Sequence, residues 1–358
     1  MQPESGPFGP RASEATAEAP PDVASSPVGL VAGTAPWGAR ADVLRQALGL
    51  FGLQDGLMLG YLTIVSLLVA STPDGPVRTL AGRLLLCCVT AQLAACVVAR
   101  AGQRRVGLLR SSFYRLLVVG VLLETYLMLR HVLPLVRPDT VDAKLLALDL
   151  RLFGVEPALW LERINTRPVI EWFSFFYFSY FTICTVYMIA LVWVLPPSRR
   201  TAEFAVGTTL VFGLGQLGYL AVPGYGPVRH LAEQFAGPLD GGFWWSCVAT
   251  TVEDAGALKD IFPSLHTAVP MWFTLFAVNQ ARTDRRWRWV AAVTGFFACN
   301  IVVSTMLLRW HYAIDVVAGL TLAITAGVVT PKLVRWEERV RAAYHLPGPW
   351  AFAARRGK

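Results

Sequence analysis

The sequence predicts an all-α polytopic membrane protein, a helical bundle of about eight spans. Three observations predict it. Hydrophobic residues make up 54% of the 358-residue chain and charged residues only 16%, whereas a soluble domain carries about 25% charge. Apolar runs recur along the chain, each near the roughly 20 residues a helix needs to cross the hydrocarbon. The Lys and Arg residues cluster in short stretches between those runs, as they do where basic loops fix the orientation of a membrane protein. A net charge of +8 distributed in that way points to a membrane surface and argues against nucleic acid as a partner.

In chain order, residues 1–42 are rich in Pro, Ala, Ser and Gly and hold no long apolar run. They read as a disordered cytoplasmic tail and not as a signal peptide, which needs an apolar core near its start. The expected spans then run approximately Leu50–Ala70, Leu80–Ala99, Phe113–Leu129, Val169–Leu195, Glu203–Val222, Leu265–Asn279, Trp289–Leu307 and Ala313–Val334. Residues 43–110 hold two accessory spans, 111–335 the other six, and 336–358 a basic cytoplasmic tail. The sixth run is the shortest. Helices are selected because lipid offers no partner to an unpaired backbone group.

Orientation follows from the basic loops. Arg100, Arg104, Arg105 and Arg110 separate spans two and three, and Arg199 and Arg200 follow span four. Arg282, Arg285, Arg286 and Arg288 follow span six, and Lys332, Arg335, Arg339 and Arg341 close span eight. With eight spans all four groups fall on one side, which the positive-inside bias makes cytoplasmic. Both termini are then inside, and the loops after spans one, three, five and seven face out of the cell membrane. The long outward loop, 131–168, mixes Arg137, Lys144, Arg151, Arg163 and Arg167 with Asp139, Asp142, Asp149, Glu156 and Glu162. Within it Val141, Leu145, Leu148 and Leu152 recur at helical spacing, which predicts an amphipathic helix lying on the surface.

Not every polar or aromatic residue in this pattern signals chemistry. The six cysteines show no metal-ligand spacing and read as small hydrophobes, so no metal site is expected. Asp55 and Glu124 lie within spans one and three, where either contact with a site or pairing across helices would account for them. The run WFSFFYFSYF in span four reads as packing or an interfacial belt.

The chemistry is concentrated at two outward span entrances. KDIFPSLHTA leads into span six with Lys259, Ser264 and His266, and STMLLRWHYAIDVVAG leads into span eight with Arg309, His311 and Asp315. His311 and Asp315, four residues apart, share one helix face. A carboxylate accepting from one imidazole nitrogen fixes the tautomer and leaves the other nitrogen free to attack. The chain has only five histidines, and two stand at span entrances on the same side, each with its own basic residue.

PSLH followed by a distant R-W-H-Y-x-x-D resembles the second and third motifs of the type 2 phosphatidic-acid phosphatase superfamily, with Ser304, His311 and Asp315 in the spacing of the third. The resemblance implies a six-helix phosphatase-type core and metal-independent phosphoryl transfer without a cofactor. His311 would be the nucleophile that becomes phosphohistidine, Asp315 its orienting acid, and His266 the proton donor to the leaving oxygen. Thr305 stands where the family has Arg, Leu265 where it usually has Gly, and the first motif is absent, its place taken by VPGYGPVRH with Arg229. Arg309, Arg229, Lys259 and Ser264 are therefore the expected phosphate-binding residues. FPSLH, the G-P-x-R loop and the segment LDLRLFGVEPALWLERINTRP look like the branch containing inositol phosphorylceramide synthase. The expected partners are a lipid substrate in the bilayer and, on the alternative reading of an inositolphosphotransferase, a polyol such as inositol. A catalytically silent lipid transporter is the remaining alternative.

Overall fold

The computed structural model describes residues 36–100, 107–255, 258–348 and 350, and among these there are helices and no strand. The chain divides into two compact units, Met1–Asp42 and Val43–Lys358. Of the first unit only residues 36–42 are described, as the start of helix α1 (Pro36–Leu50). Most of the expected N-terminal tail thus lies outside the described residues, as do the charges at 104 and 105 and the last residues of the expected basic tail.

In the second unit the bundle is built from α2 (Leu53–Ala70), α3 (Pro76–Arg100), α4 (Gly107–Leu127), α5 (Leu129–Val136), α8 (Arg167–Ile189), α9 (Arg199–Ala221), α12 (Leu265–Ala281), α13 (Trp287–Leu307) and α14 (Ala313–Ala343). Six of these stretches are long and apolar enough to cross a membrane, and α4 with α5, bent by 44° at the Met128 junction, makes a seventh. The expected sixth span is α12, which has 17 residues, or about 25 Å at 1.5 Å per residue. It is short because it is central: α12 packs against α13, α14, α9 and α8, so its neighbours and not lipid surround it. Trp272, Phe273 and Phe276 of α12 meet Phe204 of α9 and Tyr187 of α8 in the main hydrophobic cluster.

Several polar groups inside the bundle are paired across helices. Asp55 of α2 accepts from Gln92 Nε2 of α3 at 2.9 Å and from Tyr114 Oη of α4 at 2.6 Å. It therefore ties the two accessory spans to α4 and lies apart from the histidines. Arg115 of α4 donates to the carbonyls of Leu191 and Leu195 at 2.8 and 2.7 Å, where α8 runs on into a wide π-turn, Ala190–Val194.

Two elements extend the picture drawn from the hydrophobic pattern. Helix α14 continues to Ala343, well into the expected tail, because Glu337 and Arg341 pair at 2.9 Å one turn apart and Glu337 also accepts from Leu53 N. Within 131–168 lies a helix, α6 (Asp142–Phe153), followed by α7 (Pro157–Leu161), and the inner face of α6 carries acids beside Leu145. Leu148 and Leu152 are exposed, while Asp142, Leu145 and Asp149, at positions i, i+3 and i+7, are buried. The segment between α9 and α12 adds two helices that the hydrophobic pattern did not announce, α10 (Pro227–His230) and α11 (Phe243–Ala255). Glu171 of α8 starts α11 by accepting from Gly242 N at 2.7 Å and Trp245 N at 3.0 Å.

The two ends of the bundle carry different groups. At the end where α12 finishes, Arg200 approaches Asp284 and Arg199 approaches Glu338. At the end where α12 begins lie the segments carrying His266 and His311.

Candidate active site

Four stretches of chain are stitched together at that second end. Val141 N donates to Pro223 O at 2.8 Å, Gly224 N to Lys259 O at 3.2 Å, and Val228 N to Arg309 O at 2.7 Å. Gly226 is required in this seam. Its φ of +79° is one that L side chains rarely adopt, and a Cβ there would meet Trp310 O at 2.2 Å. Gly319 plays the same part deeper down: a Cβ on it would lie 2.5 Å from Ser264 O, so its absence lets α14 close on α12.

Ser264 is the N-cap of α12, with Oγ accepting from Thr267 N at 3.3 Å and its own N–H donating to Asp315 O at 3.0 Å. His266 sits in the first turn of the helix it starts. Its imidazole stacks on Tyr177 (centroids 4.3 Å apart, planes 13° apart) and lies 4.1 Å from the Tyr180 ring, while buried Nε2 has no hydrogen-bond partner. The aromatic run of α8, expected to be packing or an interfacial belt, thus supplies the rings that hold this histidine. Sequence spacing did not show it, because the contact crosses between helices.

His311 follows α13 in the short link to α14, its N–H bonded to Thr305 O at 3.1 Å. The His266 and His311 ring centroids are 6.4 Å apart. Nδ1 of His311 lies 3.4 Å from Asp315 Oδ2, a contact too long and too poorly aligned to be a formed hydrogen bond. Burial pushes the His311 pKa down to about 4, against the opposing pull of the Asp260 carboxylate. At neutral pH the imidazole is therefore uncharged and keeps a lone pair for attack.

Both histidines line a cavity of about 280 Å³, with Tyr126, Tyr177, Tyr225, Arg229, Trp245, Asp260 and Trp310 among its walls. Arg229 packs its guanidinium over the Tyr225 ring at 5.3 Å and makes no ion pair among the described residues, so it is the cation positioned to meet an anion here. A second cavity of about 370 Å³ adjoins the first and shares Tyr126, Phe181, Asp260 and His266 with it. Its other walls are apolar, from Leu116, Val119 and Leu122 of α4, Met188 of α8 and Phe212 of α9, and the exposed Leu116, Leu123, Ile189 and Trp193 form its rim.

The other expected phosphate-binding residues are placed differently. Arg309, buried, donates to Glu162 Oε1 at 2.9 Å and to Gly237 O at 2.8 Å, and covers the Phe235 ring at 3.9 Å. It ends α13 in the left-handed region, φ +66°, and does not line the cavity. Lys259 Nζ donates to the carbonyls of Arg137, Pro138 and Asp139. Ser264 is fully buried in its capping role, and Thr305 is buried too.

Sequence reasoning missed two sets of functional residues. Asp260, next to Lys259, lines both cavities and accepts from Tyr126 Oη at 3.2 Å. The acids of α6, read as balancing surface charge, hold the site loops. Asp142 accepts from Tyr225 N, Gly226 N and Tyr312 Oη at 3.0, 2.9 and 3.2 Å. Asp149 accepts from Ala313 N and Ile314 N at 2.6 and 2.8 Å, capping α14 from outside its own chain segment. Burial pushes Asp149 up, and Glu156 beside it up to about 8, so this pair retains a proton at neutral pH. The heptad offset of Asp142 and Asp149 was the available signal.

Neither the curated proteins nor the solved structures contain a match to this chain. Residues 143–329, just over half of the chain, match the sequence profile of the PAP2 superfamily. That span runs from α6 through α14 and includes both histidines, Arg229 and Asp315. The chain belongs to the PAP2 superfamily, membership that carries a phosphatase-type phosphoryl-transfer function.

Proposed function

We propose that this chain transfers a phosphoryl group from a lipid phosphate or phospholipid headgroup at the outer face of the cell membrane, through a phosphohistidine at His311. The observation that carries the reading is the meeting of an arginine-bearing cavity with an apolar one at His266. A lipid phosphate has that division, an anionic head and an apolar tail joined at the bond to be broken. In this reading His311 attacks phosphorus, the bond to the leaving oxygen breaks, and that oxygen takes a proton from His266. Arg229 offsets charge on the equatorial oxygens. Asp315 keeps the His311 ring in place, and water or an alcohol then releases the phosphoryl group. Arg309, Lys259 and Ser264 act by holding the loops that frame the phosphate. The arginine clusters of the loops at the opposite end support the outward assignment and, by the same bias, an inside position for both termini.

The test is to incubate purified protein with dioctanoyl phosphatidic acid and with phosphatidylinositol or phosphatidylcholine micelles, with and without free inositol, and to identify products by mass spectrometry. Release of inorganic phosphate supports hydrolysis, and a new phosphoinositol lipid supports the inositolphosphotransferase alternative. Micelle binding without any product would instead support a silent lipid transporter.

A further inference from the structure

Four residues belong to both cavities, Tyr126, Phe181, Asp260 and His266. Of these, only Asp260 and His266 carry a carboxyl or an imidazole, and the roles above use His266 alone. A carboxylate at this junction needs a reason, since it repels the phosphate that Arg229 attracts. Two observations restrict what the reason is. No cation neutralises Asp260 among the described residues, because the adjacent Lys259 ammonium is turned onto the carbonyls of 137–139. The Tyr126 phenol donates to Oδ2 at 3.2 Å, which fixes the carboxylate while its position on both cavity walls leaves it open to a ligand.

An unneutralised, oriented carboxylate beside a phosphoryl-transfer site suits a hydroxyl group. We propose that Asp260 is a further catalytic residue, the base that takes the proton of the hydroxyl that resolves phospho-His311; this rests on the phosphohistidine reading above. The hydroxyl oxygen of water or an alcohol attacks phosphorus, forming a P–O bond as the P–N bond to His311 breaks. The electron pair of that bond returns to the imidazole, and the hydroxyl proton moves to the Asp260 carboxylate. His266, having given its proton to the first leaving oxygen, is restored from Asp260 through the junction or from solvent before the next turnover. Burial raises the Asp260 carboxyl above its ordinary range, which makes it a better proton acceptor than an exposed aspartate.

The two half-reactions separate this idea from a structural role. With dioctanoyl [32P]phosphatidic acid and rapid acid-free quenching, Asp260→Asn should form labelled enzyme within about 3-fold of the wild-type rate and accumulate it. Its steady-state turnover should fall about 100- to 10,000-fold, the usual range for losing an acid–base group. Asp260→Ala should regain turnover when formate is added as an external base, a recovery that a misfolded variant does not show. Tyr126→Phe, which releases the carboxylate without removing it, should slow release of label more than its formation. Equal losses of labelling and turnover in Asp260→Asn, or wild-type turnover, would overturn the proposal. Absence of label from wild type would refute the phosphohistidine reading itself, whatever Asp260 variants do.

Discussion

The two arginines expected at the phosphate can be separated by experiment, because the structure gives them opposite surroundings. Arg309 is held by Glu162 at 2.9 Å and by the Gly237 carbonyl at 2.8 Å, with side-chain exposures of 8% for the arginine and 24% for its acid. Hydrogen bonds to a charged group are each worth about 1.5–3 kcal/mol when lost, and Glu162 recovers part of that through its exposure. Arg309→Ala should therefore lower stability by roughly 2–4 kcal/mol. Glu162→Gln should lower it less, and the double variant should show a coupling of about 1–2 kcal/mol. Arg229 has no such partner. Arg229→Ala should leave the melting temperature within the small range of a surface substitution while kcat falls about 100- to 1,000-fold, as for loss of one group stabilising transition-state charge. The assay pairs detergent-phase thermal melting with phosphate release from dioctanoyl phosphatidic acid, normalised to folded protein. If Arg309→Ala melts like wild type and loses the activity, or Arg229→Ala keeps more than a tenth of it, the assignment of the phosphate to Arg229 is wrong.

Other outcomes follow from the same geometry. His311→Ala should abolish turnover, whereas His266→Ala should keep measurable activity toward a p-nitrophenyl phosphate ester, whose leaving oxygen needs little protonation; equal losses on good and poor leaving groups would argue against an acid role. The buried His311 pKa of about 4 lies below the ordinary 6.5, so the unfolded chain takes up the proton first and stability falls as pH drops from 6.5 toward 4. At about one pKa unit per 1.4 kcal/mol this amounts to roughly 3 kcal/mol, and melting curves of His311→Asn should be flatter than wild type over that range; parallel curves would refute the depressed value. Asp149→Asn should weaken the α14 cap and reduce kcat roughly 10-fold with little change in KM, by loosening Asp315, in line with a cap substitution of about 1 kcal/mol or more; a KM effect alone would place Asp149 at the substrate instead. Single cysteines at Gln234 and at Thr283, in a background lacking the native cysteines, should label from opposite sides of intact cells, Gln234 from outside; labelling from one side would overturn the proposed topology.

The bundle was legible because membrane helices advertise themselves by length. Several expected span ends coincide with helix ends, as at Ala70, Leu307 and Ala313. The motif histidines were legible because Pro-Ser-x-His encodes a capped helix start and His-x-x-x-Asp brings an acid near the histidine, although His311 stands just before α14 and not on its face. What escaped was non-local. That Arg309 turns to Glu162 depends on a left-handed residue ending α13 and on a partner 147 positions away. That α6 faces inward with its acids depends on the backbone donors of Tyr225, Gly226, Ala313 and Ile314, which a hydrophobicity pattern does not register. The inward face of α6 inverts the usual apolar choice at Asp142 and Asp149, because what it covers is a helix terminus and a turn with unpaired N–H groups, and carboxylates satisfy these better than leucines do.

That inversion explains how Asp315 remains available to His311. The first turn of α14 presents unpaired N–H groups, and Asp315 lies in that turn, where an acid ordinarily folds back to cap them. It does so only for Tyr312 N, at 3.0 Å through Oδ2. The N–H groups of Ala313 and Ile314 are taken by Asp149 from α6, and Asp315 Oδ1 stays buried without a partner. Two carboxylates thus share the positive end of one helix dipole, one capping from outside and one held 3.4 Å from the His311 ring. Without Asp149, Asp315 would be the nearest acceptor for three donors, and its carboxylate would be drawn toward the helix axis and away from Nδ1. The 3.4 Å separation leaves room for this contact to shorten. In the proposed mechanism His311 gains positive charge during attack on phosphorus, and the Asp315 carboxylate lies where it can close on it. In that mechanism α6 would thus hold the acid beside the nucleophile without itself lining the cavity.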